Sequence, residues 1–587
     1  MNNSINHIIH FIILLLIIAF VITSCSTRGY DNEKLICDKS AKIDVAEVSG
    51  QQLDNLELLG KVWGLLKYHH PAVASGHYDW DFELVEMLPE YLQVSNTQAR
   101  DIFLMQWIEK LGTIKRHKAQ KPDKGATMKP DYDWIEQLEM SAQLREKLHE
   151  IIDNRYQHSQ FYVKLPKKGA VNPIIKNEYA YKDQNCPSLG IRLIAVYRYW
   201  NIINYYFPYR YLTDNEWSTV LKKHLPDFIA AHNEQEYTQA VNMLVAEIND
   251  THAGSFSFHY YNSGNYYAPY KLQFIENQLV VVGYYDETLC DTTVLKRGDV
   301  ITAINSQKVT AMTDSLSEII SASNKGSLYR IIAQLALKSQ TNSIDIQYFS
   351  SDSILKTAHM SLPSQDEWLE RYYEQALQPM QFIRITPETG YVNLFCSDEN
   401  YNSVLDSIQK VPYLIVDMRE SIGLSSVKWN SFAEFITNSE TPTCYAKFSK
   451  PCPEAPGEFE KGGAYYTQNS INTYKGKVAI LINSTVQSHS EFNIMLMKTN
   501  PNVTIVGSNT AGADGDVTVF NLPYLQSMFS GVGVYYPDWS ETQRIGIVPD
   551  VYVEPTIRGI RENRDEVLEK AFIIEQTPAS LLLKSPC

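Results

Sequence analysis

The residues best placed to do chemistry form the stretch 484–494, Ser-Thr-Val-Gln-Ser-His-Ser-Glu-Phe-Asn-Ile. The apolar run 478–482 before it reads as a buried strand, and 492–497 after it as a helix. A serine between a strand and a helix can serve as a nucleophile. The amides that follow it can point at a developing oxyanion, and the helix N-terminus favours negative charge. Ser488 is the candidate nucleophile, and the backbone N–H of His489 a candidate oxyanion donor. The non-chemical reading is that Thr485, Ser488 and Ser490 cap a helix. His252 is the second candidate. It ends Ile248-Asn249-Asp250-Thr251-His252, directly after a helical pattern, where a side chain can reach out of its own unit. A structural histidine is the alternative there.

The elements that must position Ser488 read as α/β over 380–555, with strands at 389–395, 413–417, 478–482 and 503–507. Helices fall near 401–407, 428–436 and 492–499. Such alternation suits a layered core with a site at the strand ends. The strand 413–417 runs into a turn ending at Gly423, whose amide can also face an oxyanion.

Ahead of this region, 266–363 changes to β-rich patterning, with strands at 279–282, 300–304 and 343–349 and an amphipathic segment at 312–323. Residues 297–305, Arg-Gly-Asp-Val-Ile-Thr-Ala-Ile-Asn, resemble the PDZ signature. Such modules add a peptide to a sheet edge as an extra strand. A β-rich spacer is the alternative.

The N-terminal half repeats without a gap at an offset of 137 residues. Trp63 matches Trp200, Tyr68 matches Tyr205, Pro71 matches Pro208, Trp80 matches Trp217, Leu88 matches Leu225, and Pro89 matches Pro226. Each unit reads as a long helix ending at proline, a loop, and two further helices. Helices of the second unit are expected at 192–207, 214–232 and 236–248.

The 587 residues are 44% apolar and 20% charged, enough for several cores, and the net charge of −15 argues against a nucleic-acid partner. The run 8–22 is too short to span a membrane comfortably, and Ile-Thr-Ser-Cys follows it at 22–25. This looks like a bacterial lipobox with Cys25 as the lipid attachment point, though the n-region lacks Lys and Arg. Seven further cysteines are scattered with no CxxC pair, so structural zinc is not expected. Cys444 and Cys452 flank a Pro-rich loop and are the one pair whose bridging stays open. No HExxH, GxxxxGK[ST] or GxGxxG occurs, so no metal or nucleotide cofactor is implied.

Taken together, Asn249-Asp250-Thr251-His252, the PDZ-like segment, Asp417-Met418-Arg419, Ser488-His489-Ser490-Glu491 and Gly507-Ser508-Asn509-Thr510-Ala511-Gly512 resemble the C-terminal-processing and tricorn-type serine peptidases. The resemblance spans roughly 192–560. It implies a ClpP/crotonase-like α/β catalytic core, with Ser488 as nucleophile and Gly423 and His489 as oxyanion donors. The family's strand-end motif, Asp-x-Arg-x-Asn-x-Gly-Gly, is altered: Ser421 and Leu424 replace the Asn and the second Gly. One branch uses a lysine shortly after the serine, but none lies between Thr499 and Glu569. The resemblance therefore implies the tricorn-like arrangement, with His252 as base, oriented by Thr251 and Glu541.

The expected architecture is multidomain α/β: signal peptide 1–25, tether 26–51, helical units 52–185 and 186–262, PDZ-like domain 263–365, catalytic domain 380–560 and tail 561–587. The expected function is a lipid-anchored serine endopeptidase of the bacterial cell envelope, acting on protein or peptide substrates. A catalytically inactive peptide-binding lipoprotein and a serine esterase are the alternatives.

Overall fold

The sheet beneath Ser488 is built from runs of branched residues that bury both of their faces. In the computed structural model its strands lie in the order Ile383–Arg384, Thr389–Asn393, Tyr413–Asp417, Lys477–Ile482, Val503–Gly507, Val551–Tyr552. All neighbours are parallel except the first pair. Residues 27–576 are described, apart from 44–47, 117–124, 167–170, 184, 186, 257–264, 289, 291–293, 368, 370–377, 421–422, 440 and 469–472. The signal segment and Cys25 lie outside the described residues.

Alternation along the strands separates two cores. Leu414, Val416, Val478, Ile480 and Ile482 pack with Trp429, Phe432, Ile494 and Met497 on one face. Ile415, Ala479, Leu481 and Val506 pack with Val567, Ala571 and Ile574 on the other. Those last three side chains belong to the helix Glu566–Gln576. The expected tail from 561 onward is therefore corrected in part, because this helix covers the second face of the sheet. Arg419 ties it to the active-site edge, donating to Asp417 at 2.6 Å and to Asp565 at 2.7 Å.

The long helices Gly50–His69 and Leu189–Tyr206 pack against each other at repeat-equivalent positions. Glycine at 60 lets Tyr197 approach closely, and glycine at 64 does the same for Asn201; a Cβ at either would collide with those side chains. Each unit also has a reciprocal indole lock. Trp63 Nε1 donates to the Trp80 carbonyl at 3.2 Å, and Trp80 Nε1 to the Trp63 carbonyl at 2.9 Å. Trp200 and Trp217 make the same pair of bonds at 2.9 and 3.1 Å.

The expected tether is also corrected. Thr27–Ser40 is a helix. Ile36 and Ser40 are fully buried, and the Ser40 hydroxyl accepts from the Ile191 amide at 3.1 Å. A polar composition concealed this docked helix.

The β-rich module orders its strands Leu355–Ser361, Ser343–Phe349, Val300–Ile304, Gln278–Tyr284, Tyr270–Ile275, leaving the last at an edge. Helices occupy Val309–Ser317 and Lys325–Leu335, the second absent from the sequence reading. The strand Cys444–Pro451 runs between Cys444 and Cys452, and both thiols are free. Among the described residues no helix is long and apolar enough to cross a membrane.

The helical and catalytic halves are joined by main-chain pairing. Gly254–Phe256, immediately after His252, pairs antiparallel with Gln526–Ser530, with Gly254 opposite Met528 and Phe256 opposite Gln526.

Candidate active site

Ser488 sits between the strand Lys477–Ile482 and the helix His489–Met497, at φ 59° and ψ −131°. A non-glycine residue held there is strained, by about 1–3 kcal/mol, and persists only where its surroundings over-determine it. Its amide donates to the Ala513 carbonyl at 2.9 Å and to Glu491 Oε2 at 3.1 Å, and its carbonyl accepts from Phe492 at 3.1 Å. Ser488 is the N-cap of that helix, with Glu491 at the third helical position forming the reciprocal half of a capping box. The His489 amide opens the helix and has no partner among the described residues. Its ring is held by Asn430 Oδ1 at 2.6 Å.

Glu491 anchors the loop that closes the site. Buried to 1% exposure, it accepts from Gly512 N at 2.8 Å, Ala513 N at 3.1 Å and the Thr510 hydroxyl at 2.5 Å. Burial pushes its carboxyl above the ordinary range, while these donors pull it down. Asp514, also buried, is raised well above the usual carboxylate range by burial and by neighbouring Glu491.

The far side of the same loop meets the helical half. The Thr251 hydroxyl donates to the Ala511 carbonyl at 3.4 Å and accepts from Ser323 N at 2.8 Å. Residues 510–514 thus touch both the serine turn and the histidine turn. From the β-rich module, Arg330 Nη2 donates to Gln487 Oε1 at 2.8 Å, bracing the residue before the serine.

His252 is buried at 6% exposure. Its Nδ1 lies 2.9 Å from Ser530 Oγ, and its amide donates to Asp250 Oδ1 at 3.1 Å. Burial holds the imidazole below its ordinary pKa; Asp250 and Asp516 act upward on it and Arg330 downward. Its ring and the Ser488 hydroxyl are not hydrogen-bonded to each other.

Three expected site residues sit elsewhere. Thr251 engages Ser323 and Ala511 rather than the imidazole. Glu541 Oε1 accepts from the Tyr211 hydroxyl at 2.6 Å, and its other oxygen is buried without a partner. Neither residue orients His252, because the strand pairing after 252 delivers the ring to Ser530 first. The Gly423 amide donates to the Leu394 carbonyl at 3.0 Å, so it does not face an oxyanion in this conformation. A Cβ at Gly423 would fall 2.4 Å from the Cys396 carbonyl oxygen, so the close fold-back requires glycine. Ser530 escaped the sequence reading, since a lone serine in a strand carries no signal.

Beside the serine turn a cavity of about 310 Å³ opens, lined by polar side chains, among them Glu420, Ser426, Gln487 and His489, as well as by Leu424 and Trp429.

Residues 388–553 match peptidase family S41. Among solved structures, mature CPAF is similar at 12% identity and a TM-score of 0.51, over 68% of this chain and 99% of that one. The photosystem II D1 C-terminal processing protease aligns at 14% identity and a TM-score of 0.40, over 62% and 93%. The tricorn protease aligns at 13% identity and a TM-score of 0.34, over 69% and 37%. No curated protein sequence matches the chain.

Proposed function

We propose that the chain, whose residues 388–553 match peptidase family S41, cleaves peptide bonds through an ester on Ser488, with His252 as general base. The Ser488 oxygen attacks the scissile carbonyl carbon, and its proton passes to His252 Nε2. The tetrahedral oxyanion develops next to the His489 amide. As the C–N bond breaks, His252 returns the proton to the leaving amine. Water then attacks the ester by the same route and regenerates the serine.

The observation that carries this reading is the strained Ser488 turn, held by a loop that also binds the His252 turn. Ser488 and His252 are not hydrogen-bonded as they stand. Catalytic hydrogen bonds in a substrate-free site commonly tighten only in the complex.

The β-rich module has the parts of a PDZ-type peptide receiver. The strand Tyr270–Ile275 is an edge, and Phe274 stacks on Tyr329 of the helix Lys325–Leu335 at 4.2 Å. An extended peptide adding to that edge lies on the module whose Arg330 braces the serine turn. The N-terminal segment supports a lipid anchor on Cys25 and a place in the bacterial cell envelope. Metabolic labelling with a fatty-acid analogue tests this: label on the wild type and none on Cys25→Ala is expected, and an unlabelled wild type refutes it.

Fluorophosphonate labelling tests the nucleophile. Label on the wild type and none on Ser488→Ala is expected. An unlabelled wild type indicates an inactive peptide-binding protein. A labelled protein that hydrolyses small esters but not denatured protein is an esterase.

A further inference from the structure

We infer that Asp250 and Ser530 form a carboxylate–hydroxyl relay that orients His252 and fixes which of its nitrogens is the base. The inference rests on the reading of His252 as general base, and assigns roles to two residues outside the expected set.

The bonds run in one direction. The Ser530 hydroxyl donates to Asp250 Oδ1 at 3.0 Å. Its proton is thereby committed, so toward His252 Nδ1, at 2.9 Å, the same oxygen can only accept. Nδ1 therefore carries the ring proton, and the lone pair is left on Nε2, the nitrogen a base needs free.

Asp250 gathers four donors on its two oxygens. It accepts from His252 N at 3.1 Å, Ser530 N at 2.7 Å, Ser530 Oγ at 3.0 Å and Gln543 Nε2 at 3.2 Å. Asp250 and Ser530 are fully buried and Gln543 is 1% exposed, so water does not compete for these bonds. The relay also crosses between halves of the molecule. Asp250 and His252 come from the turn after the helix Glu234–Ala246, and Ser530 ends the strand Gln526–Ser530. Pairing of that strand with Gly254–Phe256 sets Ser530 beside the ring. When His252 takes the Ser488 proton, the positive imidazolium gains a carboxylate one hydroxyl away.

Three charged groups act on the ring. Asp250 stands on its own turn, Asp516 follows the loop 510–514, and Arg330 comes from the β-rich module. Loss of Asp250 removes one of the two acidic groups.

Steady-state kinetics across pH test the relay on Ser530→Ala, Asp250→Asn and His252→Ala, beside 15N spectroscopy of labelled histidine. Ser530→Ala removes one oxygen from the chain of bonds. It is expected to lower kcat about 10–100-fold with KM little changed, and Asp250→Asn about 10²–10⁴-fold, approaching the cost of misfixing the tautomer in a serine triad. In Asp250→Asn the amide can donate to Ser530, whose proton then turns toward Nδ1. The 15N signature should move from the Nδ1–H to the Nε2–H tautomer, and the acid limb of the pH profile should shift to lower pH. A structural role alone would move neither.

Wild-type kcat and pH profile in a folded Ser530→Ala would overturn the relay, even if Asp250→Asn fails to fold. His252→Ala separates the two readings. If it is fully active, the base assignment fails; if it is inactive while Ser530→Ala and Asp250→Asn are normal, only the relay fails.

Discussion

The Ser488 amide donates to the Ala513 carbonyl at 2.9 Å, so the backbone of the proposed nucleophile is bonded to the loop that also receives the Thr251 hydroxyl through Ala511. The loop 510–514 is thus the joint between two turns more than two hundred residues apart in sequence. Its bonds to Glu491 hold it down. The Ser488 turn and the histidine turn therefore share this loop as a common hydrogen-bonded contact.

Ser488→Ala should abolish turnover and fluorophosphonate labelling. Loss of a triad nucleophile costs about 10⁶-fold in kcat. The backbone bonds at 488 do not involve the hydroxyl, so the thermal midpoint should stay within a few degrees of wild type. A variant with near-normal turnover would shift suspicion to Ser484 or Ser490.

Glu491→Gln should damage both stability and activity, unlike Ser488→Ala. The carboxylate accepts from Ser488 N, Gly512 N, Ala513 N and Thr510 Oγ1. An amide sets an NH₂ against one side of this donor cluster. A buried donor left unmet costs about 1–3 kcal/mol. Denaturant titration and kcat together check this. A stable Glu491→Gln with reduced kcat would limit the residue to the chemistry.

The sequence reading reached some elements to the residue and missed others for identifiable reasons. Tyr413–Asp417, Val503–Gly507, Val300–Ile304 and Ser343–Phe349 are apolar or alternating runs closed by turn residues, and their expected bounds coincide with the observed ones. Phe459–Tyr466 contains two glycines and is only partly buried, so nothing in its pattern marks a strand. Glu566–Gln576 looked like a tail because its apolar stripe has meaning only against the sheet it covers. The place of Ser488 between a strand and a helix was legible because it is set locally. The surroundings of His252 were not, because Ser530 meets it through pairing of segments far apart in the chain. Glu541 was expected by resemblance, and Tyr211 occupies it instead.

Trp80→Phe and Trp217→Phe should destabilise the protein by similar amounts. Each removes one bond of a reciprocal pair and leaves a buried carbonyl with one donor fewer, at about 1–3 kcal/mol. Because Trp217 belongs to the unit that carries His252, Trp217→Phe should also reduce kcat, whereas Trp80→Phe should not. Urea unfolding followed by kinetics at a temperature where both variants are folded decides it. Equal activity loss in both would show that the two units respond as one body.

The acid limb of kcat/KM should lie below the ordinary imidazole value of about 6.5. The base works only when neutral, and burial favours the neutral ring of His252. As pH falls through the ordinary value the folded protein therefore keeps its base, and activity is lost only at lower pH, with unit slope. The same depression means that the unfolded chain binds this proton before the folded one does. The contribution to stability is complete above the unfolded-state pKa and is lost as pH falls through that value toward the folded-state one. Arg330 acts downward on the ring and Asp516 upward. Arg330→Gln should move the limb toward neutral pH, and Asp516→Asn should move it further into acid. The measurement is kcat/KM from pH 4 to 9 for wild type and both variants, with the folded fraction followed by circular dichroism at each pH. A wild-type limb at or above the ordinary value would mean that the ring is solvated or charge-paired in the working enzyme, and the buried geometry of His252 would not be the active one.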